Sequence, residues 1–264
     1  VYFGSAKEEF IGSERVSDGT FNVAYWNGKS GTNNFYTYAT DSQGRRTELL
    51  SAVPGYEMLT RPWYKTAQKA GKATWGEIYL WAVPYPNLAL PALKPIYNQT
   101  GSLQGVFAVD LSLLEISEFL RSLKIGKTGQ TFIIERDGLL VASSGSQQPF
   151  TSDGKKQKRL EAIKSSDTLV KSTAQYLLDE FTNFNQISQR GQLTFKLNGK
   201  PQLLQVTPFS DEFGLDWLIV VVVPEADFME QINANNRITI VLCLVALVVA
   251  RSEERRVGKE CRSR

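Results

Sequence analysis

Four short segments at the front of the chain constrain the fold most. Residues 1–5, 9–16, 19–26 and 34–40 are strand-like, rich in aromatics, and broken by Asn27-Gly28 and Gly31. Strands at such close spacing predict a meandering antiparallel sheet. Asp41-Ser-Gln-Gly44 reads as a turn, and Pro54-Gly55 breaks the chain just ahead of Tyr56.

Residues 63–70 carry a short helical pattern, with Pro62 near the first turn, where a missing N–H costs nothing, and Gly71 after the end. Residues 74–83 alternate as a strand that puts Trp75, Glu77, Tyr79 and Trp81 on one side. Residues 88–97 form another strand, edge-like or bulged because of Pro91 and Pro95. A turn at 98–101 leads into a buried strand over 103–111. Residues 113–123 then place Leu113, Ile116, Leu120 and Leu123 near helical spacing. Beyond them, 131–135 and 139–143 pair as a hairpin around Asp137-Gly138, 144–158 is a polar loop and 159–181 is helical. Residues 191–197, 202–208 and 217–223 complete a second antiparallel sheet, with Asn198-Gly199 as a hairpin turn. The expected class is α+β, with one plan used twice: hairpins, helices, then a buried strand feeding an exit helix. Identity between the halves is weak, so the repeat is architectural.

Charge and composition exclude several functions. The formal net charge is +3, but residues 251–264 carry six Lys/Arg and three Asp/Glu, and the remainder balances at 24 of each sign. A neutral body argues against a nucleic-acid partner, which needs a basic face. The chain has no histidine, which excludes His-liganded zinc and Ser-His-Asp or Cys-His catalysis. Its two cysteines, Cys243 and Cys261, lie near the far end, so residues 1–237 offer no thiolate chemistry. No metal, cofactor or catalytic residue is assigned.

Residues 238–250 are apolar except for Thr239. This run is shorter than the roughly 20 residues of a spanning helix, and a buried core element is the alternative. The polar lead at 230–237 and the abrupt stop at Arg251 favour a truncated transmembrane helix. The tail at 251–264 resembles, along its whole length, the translated read-through of a common sequencing adapter, which implies an artefactual origin. A positive-inside anchor is the other reading, and neither gives Arg255, Arg256 or Cys261 a function. Val1 begins inside a strand-like segment with no initiator Met, which reads as a truncated front.

The stretch from Tyr56 to Asp110 carries the chemistry. It holds Tyr56, then Arg61-Pro-Trp63-Tyr64, then Tyr79, then Asp110 at the end of Gly-Val-Phe-Ala-Val-Asp. Arg61 can take a carboxylate as a two-point fork, and Asp110 can take an ammonium. Aromatic walls would exclude water and strengthen both pairs. Taken singly, each residue has a plainer explanation: Trp63 and Tyr64 as packing, Arg61 as a partner of Glu57 or Glu77, Asp110 as the cap of the helix after it. The six types together complement a zwitterion at both ends.

These residues resemble the double Cache family, PAS-like extracytoplasmic sensor domains of bacterial transmembrane receptors. The anchors are Arg61-Pro-Trp-Tyr, Gly105-Val-Phe-Ala-Val-Asp-Leu, Gly126-Lys-Thr-Gly-Gln-Thr-Phe-Ile-Ile and Gly214-Leu-Asp-Trp-Leu-Ile-Val-Val-Val-Val, and the resemblance covers nearly all of 1–237. It implies two tandem modules: a membrane-distal one at 1–112, lacking its N-terminal helix, and a linker helix with a membrane-proximal one at 113–229. A juxtamembrane lead and truncated membrane helix follow at 230–250. The amino-acid-binding subset of the family implies that Arg61 and Trp63 hold a ligand carboxylate. Tyr56, Tyr79 and Asp110 would hold its amino group, and Tyr64 would line the pocket. The fragment is then expected to be a non-enzymatic ligand sensor of the cell inner membrane, facing the periplasm or exterior and homodimeric in the full receptor. Its output would be a histidine kinase, a cyclase, a cyclic-dinucleotide enzyme or a chemoreceptor. Sensing another small carboxylate, or acting as a ligand-free dimerisation ectodomain, are the alternatives.

Overall fold

The structure is a computed structural model that describes residues 1–16, 18–29, 33–80, 88–152, 157–229 and 242. The sequence readings that fall on Trp81, the apolar run at 238–250 (apart from Leu242) and the tail at 251–264 lie outside the described residues. Among the described residues, no helix is long and apolar enough to cross a membrane.

The front of the chain folds as the aromatic segments dictate. Strands β1 (Tyr2–Ser5), β2 (Glu9–Arg15), β3 (Phe21–Asn27) and β4 (Asn34–Thr40) meander antiparallel. A further strand, β5 (Arg46–Pro54), continues them, where the sequence showed only a turn and a Pro-Gly break. Seven of its nine residues are exposed and the other two only partly buried, so it lacks the alternation that marks a half-buried strand. Helix α1 (Pro62–Ala70) starts with Pro62 in its first turn and stops at Gly71, whose φ of 66° suits glycine.

The strand expected over 74–83 is broken. Only β6 (Thr74–Trp75) and β7 (Tyr79–Leu80) pair, both with β8 (Leu88–Tyr97). The break falls at Gly76, which packs so tightly on Pro91 that an added Cβ would lie 2.7 Å from its ring. In consequence Trp75 and Tyr79 do not share a face: Trp75 docks on the C-terminal half, and Tyr79 enters a cavity in the N-terminal half. Strand β9 (Leu103–Ser112) completes a nine-stranded sheet of order β5-β4-β3-β2-β1-β9-β8-β6, with β7 also on β8.

Helix α2 (Leu113–Ser122) leaves directly from β9 and buries Leu113, Ser117 and Leu120. Strands β10 (Gln130–Glu135), β11 (Leu140–Ser143), β14 (Gly191–Leu197), β15 (Lys200–Ser210) and β16 (Asp216–Pro224) form the second sheet, order β11-β10-β16-β15-β14. The segment β2-β1-β9-β8-β6 of the first sheet has the same order of second, first, last and penultimate strands, so the repeated plan is visible in topology. The β14–β15 hairpin turns at Asn198 and Gly199, both at positive φ.

Two expectations between the sheets are corrected. The polar loop at 144–158 contains a small hairpin, β12 (Phe150–Ser152) with β13 (Gln157–Arg159). The helix expected from Arg159 begins only at α3 (Thr168–Phe181), because Asp167 caps it by accepting from the Leu169 and Val170 amides at 2.9 and 3.2 Å. From that start Val170, Ala174 and Leu177 fall on one stripe against the second sheet.

Two cores result, plus a third between them. Phe132, Leu177, Leu218, Val220 and Val222 fill the second sheet's interior. Leu90, Leu113 and Leu120 meet Val141, Leu215 and Trp217 where α2 lies between the sheets. Trp75 adds a polar latch across the same junction: its indole N–H donates to Asp211 Oδ2 at 2.6 Å and its amide to the Phe213 carbonyl at 3.0 Å. Deleting the fully buried Phe132 ring tests this packing. Phe132→Ala should lower the unfolding free energy by about 3–5 kcal/mol in urea denaturation. A loss under about 1 kcal/mol would contradict a filled interior.

Candidate functional site

Row pairing across the first sheet explains why a cavity exists. Ala108, Tyr2, Gly12, Ala24 and Thr37 stand side by side on β9, β1, β2, β3 and β4. The row is low in the middle, where Gly12 and Ala24 project little. A Cβ on Gly12 would lie 2.9 Å from Tyr2 Cβ, so glycine is needed for the ring beside it. Phe10 and Phe35 close one end. Tyr56, Arg61 and Trp63 come down from the segment that starts α1. They enclose a cavity of about 340 Å³. Gly4 lets this roof approach, because a Cβ there would meet Met58 Sδ at 2.5 Å and the Trp63 ring at 2.6 Å.

Asp110 lies inside β9, opposite Pro91, and points into this cavity. It does not cap α2: the N-cap residue is Ser112. A carboxylate on the inner face of a strand needs donors. Tyr2 Oη donates to Oδ1 at 2.9 Å and Tyr79 Oη to Oδ2 at 2.7 Å, and the two hydroxyls are 3.1 Å apart. Burial, reinforced by the Asp110 charge, raises both phenols far above their ordinary range; Tyr79 adds to the rise at Tyr2, whereas the hydrogen bond with Tyr2 works against it at Tyr79. Both therefore stay protonated donors at neutral pH.

Arg61 is positioned by the backbone. It is the N-cap residue of α1, in extended conformation, held there by the turn at Met58–Thr60 and by Pro62. Its guanidinium carbon lies 5.8 Å from the Tyr56 ring centre and 5.9 Å from that of Tyr79. Tyr56 is buried among Phe10, Trp26 and Phe35, and burial pushes its phenol up to about 12, against the pull of Arg61 and a hydrogen bond with Trp63. One ring, Tyr79, thus touches both charges: its face meets Arg61 and its hydroxyl meets Asp110.

Five of the six residues singled out in the sequence, Tyr56, Arg61, Trp63, Tyr79 and Asp110, line this one cavity. Tyr64 is outside its lining. It is one residue round the helix from Trp63 and packs edge-on against that ring at 5.4 Å. Sequence reasoning missed Tyr2, Thr37, Glu14 and Asn22. Tyr2 and Asp110 are 108 positions apart, and only the β1–β9 pairing makes them neighbours. A polar cleft between the two sheets is larger, about 650 Å³. Its guanidiniums are already engaged, Arg136 with Asp216 at 2.7 Å and Arg159 with Glu135.

Comparison with known proteins finds sequence relatives among chemotaxis receptors. The methyl-accepting chemotaxis protein PctB of Pseudomonas aeruginosa is 26% identical over 220 residues, which is 83% of this chain and 31% of PctB. McpA of Pseudomonas putida is 31% identical over 121 residues, 44% of this chain and 18% of McpA. The chain therefore spans about a third or less of the length of these curated relatives. The ligand-binding domain of PctB, solved with L-Arg, aligns with a TM-score of 0.43 at 22% identity, covering 83% of this chain and 71% of that one. Residues 18–232 match the Cache-domain family model, and the chain belongs to the Cache-domain family of sensor domains.

Proposed function

We propose that the cavity binds an α-amino acid by both ends of its zwitterion, and that the chain is the extracytoplasmic sensing part of a membrane receptor. The observation that carries this is the pairing of one guanidinium and one carboxylate across a single tyrosine, facing a cavity of about 340 Å³. Arg61 with Trp63 takes the ligand carboxylate, and Asp110 with Tyr79 and Tyr56 takes the ammonium. Tyr2 orients Asp110 from behind. Tyr64 supports Trp63 and does not touch ligand. The sequence relative PctB has been solved with L-Arg and with L-Gln, which agrees with this ligand class.

Residues 1–112 act as the membrane-distal module and 113–229 as linker helix and membrane-proximal module. Asp110 and α2 are adjacent in the chain, so a shift in the carboxylate's strand passes straight into the helix between the sheets. At the far end Asp227 accepts from the Lys127 and Thr128 amides at 2.8 and 2.6 Å, tying the exit segment to the loop that follows α2. Micromolar binding releases about 8 kcal/mol, ample for a coupling of about 1–3 kcal/mol. The receptor is a homodimer in the inner membrane with its sensor in the periplasm. Its output is chemotactic in preference to a kinase or cyclase, because its curated relatives are chemotaxis proteins.

A second reading has one observation in its favour. Both Asp110 oxygens already accept from phenols, so Asp110 can be a buttress and the ligand an organic acid. Calorimetric titration separates the two. Arg61→Ala should lower affinity for any carboxylate ligand by about 100-fold or more, the scale of a lost fork in a water-poor site. Asp110→Asn should weaken an amino acid by roughly 10- to 100-fold and leave its deaminated analogue unchanged. Equal affinity of the Asp110→Asn protein and the unsubstituted chain for amino acids would select the organic-acid reading.

A further inference from the structure

The zwitterion contacts leave part of the cavity unused. At about 30 Å³ per water-sized group, about 340 Å³ holds the head of an amino acid and a side chain of several atoms besides. That remaining space is lined by apolar side chains such as Phe21 and Val109, with a few polar groups set among them. Thr37 lies across the sheet from Tyr2 in the same row, only 7% exposed, and its hydroxyl has no hydrogen-bond partner. A buried hydroxyl without a partner is unfavourable, and a ligand group reaching it would relieve that. One step further along the strands, Glu14 on β2 stands opposite Asn22 on β3. Glu115, from the first turn of α2, lines the same mouth.

We propose that Thr37, Asn22, Glu14 and Glu115 form a side-chain subsite selecting amino acids whose side chain is extended and ends in nitrogen-bound hydrogens: a carboxamide, an ammonium or a guanidinium. This rests on the zwitterion reading, which fixes the other end of the ligand. Carboxylates only accept when ionised, so two of them at one mouth ask for a donor. They also repel each other. Burial raises the Glu14 carboxyl, opposed by a hydrogen bond from Asn22 and assisted by the charge of Glu115. A donor group placed between them would relieve the repulsion, while an acidic side chain would add to it. Apart from Arg61, the side-chain cation lining this cavity is the exposed Arg15. One cation against two glutamates leaves the mouth acidic, so charge and hydrogen bonding both favour a donor side chain over an acidic one.

Titration of the chain with isosteric L-amino acids tests this. L-Glutamine should bind about ten-fold or more tightly than L-glutamate or L-norleucine, the scale of one charge-assisted hydrogen bond. The Glu14→Gln/Glu115→Gln double variant should raise L-glutamate affinity relative to L-glutamine about ten-fold and leave L-alanine, which cannot reach the mouth, unchanged. Thr37→Val, close in shape, should weaken L-glutamine several-fold and leave L-norleucine unchanged. Unchanged selectivity in both variants, with amino acids still bound, would overturn the subsite and leave the zwitterion clamp standing. Failure of the unsubstituted chain to bind any α-amino acid would overturn the clamp, and the subsite with it.

Discussion

A carboxylate on the inward face of a central β-strand is the interaction on which the site depends. Asp110 would be costly there without donors, and the fold supplies two from distant parts of the chain, Tyr2 on β1 and Tyr79 on β7. That requirement fixes the registers of β1 on β9 and of β7 on β8, since a one-residue slip in either would turn its tyrosine to the opposite face. Tyr79 then presents its ring to Arg61. Carboxylate, phenols and guanidinium therefore form one connected polar wall in an otherwise aromatic cavity, and its parts are held before any ligand arrives. Preorganisation of this kind lowers the ordering cost of binding.

The two sheets share a strand order but differ in what fills them. The row Tyr2–Gly12–Ala24–Thr37 leaves space on the first sheet, whereas Phe132, Leu218, Val220 and Val222 close the second. Under the proposed function the first is the receiver and the second the transmitter. Two physical ties join them: the continuous passage from β9 into α2 and the Trp75–Asp211 latch; within the second unit, Asp227 holds the exit segment to the loop after α2. On that proposal a strand shift at Asp110 has a short route to residue 227, since packed cores move as discrete bodies.

Much of this was legible in the sequence because the signals were local. Asn198-Gly199 specifies its hairpin, Pro62 and Gly71 bracket α1, and the aromatic segments at the front give their strands. The helix start at Asp167 was obscured by the polar residues before it, which also suit a helix interior by composition. Strand β5 was missed because neither of its faces is fully buried, and β6–β7 was read as continuous because the Gly76–Pro91 contact is made across the sheet. At the site, Arg61 and Trp63 stand in one short motif, and Tyr56, Tyr79 and Asp110 carry the chemical types of a zwitterion clamp. Tyr2 and Thr37 carry no such local mark. A tyrosine near the start of a strand and a threonine within one are unremarkable until pairing across five strands puts them in one row. Tyr64 shows the converse: adjacency to Trp63 in sequence places it about 100° away on the helix, outside the cavity.

The central claim is that the cavity holds an amino acid by both ends. The most direct test is calorimetric titration of the unsubstituted chain with one L-amino acid, its decarboxylated amine and its deaminated acid. Two-ended recognition predicts that the amino acid binds and that removing either end weakens it by about 100-fold or more, since each end loses a charge-assisted contact in a site shielded from water. A deaminated acid that binds as tightly as the amino acid would contradict it.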